Sequence, residues 1–438
     1  MMWTWQVSTA VLAGEEAIEA ASRQVAGGAR RALLVSDPTV AGNTGHPARV
    51  SRALSRCGVA LRVVDAPGGP PSTVDVDDLA RRARLEGADL IVAVGGGSII
   101  DLTKTAALEA RNPAMLEEGW AGPAGVVVTE RATRPPIPVL ACPTTVGTGS
   151  EVSAVACVRD GRGPAGPGQV KKLLVAAGLR PTAAALDPAL TATTPRAVVL
   201  SGALEVLLRT IGACMAEDRR EALTDAMAAA LAGQVVAAGD LVALLGAAEP
   251  GRVSPEERAA RHRLAVAGAH THTGWVLAGR GRYAHQLWYL AHEVASALGV
   301  TKMQATAAVL PAYIRLLGAR AGPDSGRPAG RLGEVSRWLG GSGDLGADLR
   351  LVLQRWNLPA DLASITSGPV AVDDLARRTW SAWGPPSPAL QGMQRDDLEA
   401  LYHDALVGEL TPGRADRDLV GAGAPVPDQL HCQPSERR

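Results

Sequence analysis

Four side chains beyond Pro195 have types that could move protons or hold an anion. Glu205 and Arg209 lie four residues apart in "SGALEVLLRTIGA", an apolar stretch of helical period. His292 and Lys302 lie in "LWYLAHEVASALGVTK", with Trp288 one turn before the histidine. A histidine or a lysine amine can take a proton as general base, and a guanidinium binds a carboxylate through paired hydrogen bonds. Blander roles compete for each. Glu205 and Arg209 stand at i and i+4 in the favourable order for a helix ion pair. Lys302 suits a solvated helix start, His292 a satisfied core histidine, and Trp288 a packing residue or pocket wall. His285, Trp288 and His292 fall at i, i+3 and i+7, so one helix face can present all three.

A second group of residues has the makings of a phosphate cradle. In "DLIVAVGGGSIIDLTK", Gly95, Gly96 and Gly97 follow a buried-type strand and precede a helix, with Ser98 and Asp101 just beyond. Glycines let the backbone approach a phosphate, and a helix start offers free N–H groups and the positive end of its dipole. Alone, such a motif is equally a plain strand-to-helix turn. "PTTVGTGSEVS" also follows a strand and supplies hydroxyls at Thr144, Thr145, Thr148 and Ser150, with Gly147 and Gly149 clearing space. Two such loops on consecutive strand ends form the kind of crevice in which doubly wound sheets bind nucleotides.

The elements that must position these residues change character along the chain. Between Arg31 and Asp187, short β-branched runs (31–37, 60–66, 88–94, 125–130, 136–143) alternate with amphipathic stretches such as "TVDVDDLARRARLEG". That alternation predicts βαβ units and a parallel sheet. From Pro195 onward the period is helical, over 196–216, 219–246, 255–278, 283–298 and 303–318. The expected fold class is therefore α/β: a Rossmann-like domain over 1–195, an all-helical domain over 196–408, and a loose Pro-, Gly- and charge-rich tail over 409–438.

Composition bounds the function classes. The 438 residues hold 44 Lys plus Arg against 44 Asp plus Glu, so no net field recommends nucleic acid or an acidic membrane as a partner. The 5 cysteines have neither CxxC nor ladder spacing, which argues against a disulfide framework or a structural zinc site and for a reducing, cytoplasmic setting. The N-terminus lacks a basic leader, and no apolar run is read as reaching the roughly 18 residues of a membrane span.

GGGSxxD, then PTTxGTGSE, then "DPALTATTP" at Asp187–Pro195 is a succession that resembles the iron-containing alcohol dehydrogenases, in a superfamily with dehydroquinate synthases and glycerol dehydrogenases. The resemblance implies an N-terminal domain that binds NAD(P), a helical domain that carries a metal, a cleft between them, and a homodimer. It also implies that Asp37 approaches the adenosine ribose, where its charge favours NAD over NADP, and that Lys172, or its neighbour Lys171, lies near the cofactor. The family's ligand positions, one Asp and three His, fall here on Glu205, Arg209, Trp288 and Lys302; His292 matches a non-ligand histidine near the substrate.

Arg, Lys and Trp cannot ligate a divalent ion, so no metal is expected. His270, His272 and His285 are a conceivable relocated site, but their spacing puts them on different sides of their helices. The charge is preserved: an Asp, a divalent cation and neutral histidines sum to plus one, as do Glu205, Arg209 and Lys302. These residues suit a metal-independent, NAD-dependent dehydrogenase acting on a hydroxyl of a carboxylate-bearing small molecule or peptide C-terminus, with Lys302 or His292 as base. One branch that the chain resembles, the dehydrogenase-like proteins of daptide-type ribosomal peptide biosynthesis, implies oxidative decarboxylation of a C-terminal threonine. Maleylacetate reductases, similar in fold, imply a reductase; loss of the ligands is also what a nucleotide-binding scaffold would show.

Overall fold

The computed structural model describes residues 7–116, 125–129, 133–161, 171–216, 221–245, 253–281, 283–320, 330–366 and 368–407. The region read as a loose tail lies outside them. The N-terminal half is built on nine strands: β1 (Ala10–Ala13), β2 (Arg31–Ser36), β3 (Ala60–Asp65), β4 (Leu90–Gly95), β5 (Val126–Val128), β6 (Val139–Pro143), β7 (Val155–Arg159), β8 (Lys171–Val175) and β9 (Ala183–Leu186). Its helices are α1 (Ala17–Ala26), α2 (Pro38–Thr44), α3 (His46–Arg56), α4 (Thr73–Leu85), α5 (Gly97–Glu109) and the single turn α6 (Pro188–Thr191).

Six strands form a sheet in the order β1-β9-β6-β4-β2-β3, all neighbours parallel. The chain runs outward from β2 to β3 and then returns to lay β4 on the other side of β2. The carboxyl ends of β2 and β4 thus flank the point where strand order reverses, the place where open α/β sheets bind ligands. β4 is buried throughout, as a central parallel strand should be, while α4 starts on a capping box in which Ser72 and Asp75 satisfy each other's backbone N–H.

A second sheet, β5-β8-β7, stands apart from the first. The run over 125–130 therefore pairs with β8 and not in the main sheet, and β1, β7, β8 and β9 add to the five expected strands.

Among the described residues after α6 there are only helices: α7 (Arg196–Ala216), α8 (Ala222–Leu244), α9 (Pro255–Thr271), α10 (Gln286–Leu298), α11 (Lys302–Ala319), α12 (Gly330–Trp338), α13 (Leu345–Arg355), α14 (Val372–Trp383) and α15 (Arg395–Val407), with short 3-10 turns between. The helix expected over 255–278 stops at Thr271, because Gly274 takes φ 98 and the chain turns. α7 and α8 are, against expectation, apolar and long enough to span a bilayer by length and composition. The apolar window of α7 is 83% buried inside its own chain, as the axis of the helical core. Val146, from the PTTVGTGSE loop, is buried in that same core and ties the two halves together. Burial of such a side chain contributes about 1.5–3 kcal/mol.

Candidate active site

The two glycine-bearing loops meet face to face. β4 and β6 are hydrogen-bonded neighbours, with Gly95 opposite Pro143, and Thr144 N–H donates to the Gly95 carbonyl at 3.0 Å. A Cβ on Gly96 would lie 3.2 Å from Thr145 Oγ1, and one on Gly97 would lie 3.0 Å from the Thr148 side chain. The glycines thus let the second loop approach the first, as well as leaving the α5 N-terminus bare. Gly96 is the N-cap and offers no side-chain cap, so the first N–H groups of α5, from Gly97 and Ser98, have no side-chain acceptor there. Thr145 Oγ1 is buried without a hydrogen-bond partner among the described residues. Thr144 is turned inward, its carbonyl accepting from Thr194 Oγ1.

Behind the loops sits a charged latch that sequence reasoning missed. Lys104, 1% exposed, donates from Nζ to Ser150 Oγ at 2.8 Å, Ser150 O at 3.1 Å and Val155 O at 2.6 Å, and pairs with Asp101 at 3.0 Å. Asp101 also accepts from Ser150 Oγ and from Cys157 N–H at 2.9 Å. Its carboxylate thus holds the second loop against α5, on the side of the GGGS turn where a cofactor-binding role was expected for it. The signal was present as DLTK, a carboxylate and an amine one turn apart. Burial lowers the Lys104 pKa against the opposing pull of Asp101 and, more weakly, of Glu151; burial raises Glu151 to about 7.

Asp37, at the end of β2, caps α2: its Oδ1 accepts from Val40 N–H at 2.9 Å. It stands next to the GGGS turn because β2 and β4 are adjacent. Lys172 is 1% exposed on the inner face of β8, the side of buried Leu174. Its neighbour Lys171 faces the helical domain, where its carbonyl meets His292 Nε2 at 3.1 Å and its charge acts on His292 and Cys157.

The helical domain brings Glu205, Arg209, Trp288 and Lys302 together from three helices. Lys302 Nζ, at the first position of α11, donates to Glu205 Oε1 of α7 at 2.6 Å and lies 4.4 Å from the centre of the Trp288 ring. The Arg209 guanidinium lies 5.6 Å from the same ring. The i,i+4 pair within α7 does not form, because Glu205 reaches across to Lys302 instead. Arg209 Nε is buried with no hydrogen-bond partner among the described residues, and burial lowers the guanidinium's pKa. The Trp288 indole thus lies beside one cation that is ion-paired with Glu205 and one that has no ion pair among the described residues.

The three remaining histidines considered for a metal separate. His270 packs on Trp275 at 5.4 Å. His285, N-cap of α10, is 5% exposed, and neither ring nitrogen has a hydrogen-bond partner among the described residues. His272 places Nδ1 2.9 Å from the Gly268 carbonyl, and its ring fills the space a Cβ on Gly149 would need. Among the described residues no three His, Cys, Asp or Glu converge as a metal set. Of the four ligand positions only Glu205 has a suitable donor, and Lys302 already holds it; the residues do not fit a divalent ion.

Residues 8–188 match the pattern of the iron-containing alcohol dehydrogenases. Over 310 residues the chain is 30% identical to the probable alcohol dehydrogenase EutG of Salmonella typhimurium, covering 70% of this chain and 71% of that one. The chain belongs to the iron-containing alcohol dehydrogenase family. It is also 28% identical over 201 residues to the NAD-dependent methanol dehydrogenase of Bacillus methanolicus, covering 46% of this chain and 49% of the relative. In fold it matches the iron-containing alcohol dehydrogenase of Thermococcus thioreducens with TM-score 0.76 at 23% identity, over 93% of this chain and 100% of that one. Within this family the chain is a divergent member, with a tryptophan-lined pair of cations in place of a ligand set.

Proposed function

We propose that this family member is an NAD-dependent dehydrogenase that oxidises a hydroxyl on a carboxylate-bearing substrate and needs no metal ion. The observation that carries the reading is Arg209. It is half-buried beside Trp288, and the carboxylate four residues away has been taken by Lys302. A guanidinium in that position is stabilised by an incoming carboxylate, which supplies the missing bidentate partner. Lys302, held by Glu205, adds positive potential where a hydroxyl oxygen would gain charge.

The nucleotide side fits NAD. The bare N-terminus of α5 at Gly95, Gly96, Gly97 and Ser98 and the unpartnered Thr145 hydroxyl suit a pyrophosphate, with Thr148 beside them. Asp37 at the adjacent strand end would repel a 2′-phosphate. When bound, NAD accepts the hydride.

A hydroxyl β to the bound carboxylate gives a β-keto acid, which loses CO2 readily. A C-terminal threonine has that arrangement, so a Thr-terminated peptide is the preferred substrate within this reading. The test is NADH formation at 340 nm with 3-hydroxybutyrate, threonine and a Thr-terminated peptide, with and without EDTA, alongside elemental analysis for Fe and Zn. Chelator-insensitive turnover with less than about a tenth of an equivalent of metal supports the proposal. Turnover only in reverse, on a keto dicarboxylate, would make it a reductase of the same site. NAD binding with no turnover of any of these would make it a scaffold.

A further inference from the structure

We propose that His272 is the catalytic base that takes the substrate's hydroxyl proton, an assignment that rests on the dehydrogenase reading above. The residue lies just past the end of α9 and is held on two sides. Its Nδ1 is 2.9 Å from the Gly268 carbonyl, a group that only accepts, so Nδ1 carries the hydrogen and Nε2 the lone pair. On the other side is the loop that faces the GGGS turn. A Cβ on Gly149 would fall 2.0 Å from Nδ1, so that loop has a glycine where the imidazole needs space. His272 therefore sits against the second cofactor loop, where the charges of Arg209 and Lys302 act on it.

The charged groups facing the ring are Arg209 from α7, Lys302 from α11 and Lys104 from α5, with Glu205 offsetting Lys302. Burial first, and then Arg209, hold its pKa well below 6.5, so the imidazole is neutral and able to accept a proton. The other candidates are occupied. Lys302 directs its Nζ at Glu205 Oε1, donating to it at 2.6 Å. His292 directs Nε2 to the Lys171 carbonyl at 3.1 Å and packs edge-on against Trp383. His285 is buried behind Trp288, at the Gly212 turn of α7.

In the step, the substrate O–H bond breaks and its proton bonds to Nε2, giving an imidazolium. The carbinol C–H bond breaks, its electron pair leaving with the hydrogen as hydride to NAD+, so that the substrate becomes a carbonyl compound and NAD+ becomes NADH. The imidazolium then loses its proton to water. The cations that weaken the base also stabilise the developing alkoxide, which brings the acidity of the hydroxyl toward that of the imidazole.

The decisive experiment compares wild type and His272→Asn with the Thr-terminated peptide and NAD+ across pH. The expected wild-type kcat/KM is flat above pH 6.5 and falls only in acid, and the variant loses about 100-fold or more in kcat with NAD binding unchanged. Imidazole added to the variant restores part of the rate. A wild-type profile that climbs into alkaline pH, or a variant within about fivefold of wild-type turnover, overturns the assignment while leaving the dehydrogenase standing. Absence of wild-type turnover sinks the dehydrogenase reading itself.

A second measurement guards against a variant that fails to fold. Diethyl pyrocarbonate acylates neutral imidazole lone pairs. Wild-type protein treated at pH 7 and mapped by peptide mass should carry the label on His272, with NAD+ plus 3-hydroxybutyrate protecting it. An unlabelled or unprotected His272 overturns the proposal.

Discussion

Arg209 is a guanidinium partly withdrawn from water whose nearest acid on α7 has been claimed by another helix. Removing a charge-assisted hydrogen bond to a substrate costs about 1.5–3 kcal/mol, or roughly 10- to 150-fold. Arg209→Gln is therefore expected to raise KM for a hydroxy acid by that factor while leaving the NAD dissociation constant unchanged. The amide of the same substrate should suffer the loss in wild type but little further loss in the variant; equal discrimination by both proteins would place the carboxylate elsewhere. Lys302→Ala should lower kcat about 100- to 1000-fold by removing the cation nearest the developing charge, again with NAD binding spared. Equal turnover by the variant would remove Lys302 from the mechanism. The grouping of Glu205, Arg209, Trp288 and Lys302 was expected from the resemblance, because the ligand pattern of the family falls on these four positions of three helices. Their pairing was not, since a close approach of the α11 N-terminus outcompeted the i,i+4 partner on α7. His272 was visible only as part of an HTH spacing; the Gly268 carbonyl lies one turn back at the end of the same helix, but Gly149 belongs to the distant PTTVGTGSE loop, and no local pattern displays that contact.

At the scale of elements, the cofactor loop and the helical domain are joined by glycines set against each other. A Cβ on Gly202 of α7 would lie 2.3 Å from the Val146 carbonyl oxygen, and one on Gly147, at φ +98, would lie 2.4 Å from the Gly202 carbonyl. Both obstacles are backbone, which cannot swing aside as a side chain does. Gly202→Ala should therefore push α7 off the PTTVGTGSE loop, costing about 1–3 kcal/mol in urea unfolding and weakening NAD binding together. Gly318, inside α11 with open space around it, is the control: Gly318→Ala should be neutral or gain up to about 1 kcal/mol. If both variants unfold alike, the close crossing is not what holds the loop. The strong strands and the helical half were readable because β-branched runs and a 3.6-residue period are local signals. β9, AAAL, has no β-branched residue, and β8, KKLLV, opens on two lysines. Pairing with β1 and β6 in the one case and with β5 and β7 in the other makes them strands.

For the whole molecule, the buried titratable groups pull stability in opposite directions with pH. Burial lowers His292 to about 4 and sets His272 and His285 well below 6.5. Below pH 6.5 the unfolded chain takes up protons that the folded chain refuses, so this contribution is fully present above 6.5 and is lost as pH falls toward 4. Burial raises Glu109 and Glu151 to about 7, so their contribution is present below 4.5 and is lost as pH rises through 7. Between pH 7 and pH 5 the two sets offset each other, and the wild-type protein is expected to show a broad, shallow optimum rather than a steep acid transition. The histidine part emerges only by difference. For His292 alone the loss at pH 5 is about 2 kcal/mol, from the two pKa values and about 1.36 kcal/mol per unit. His292→Gln keeps an amide able to donate to the Lys171 carbonyl but cannot titrate. In urea unfolding at pH 7 and pH 5, the variant should therefore gain about 2 kcal/mol relative to wild type on acidification. A difference that does not change with pH would mean that His292 is solvated enough to titrate in the fold, and with it that the interface between β8 and α10 opens more readily than its packing implies.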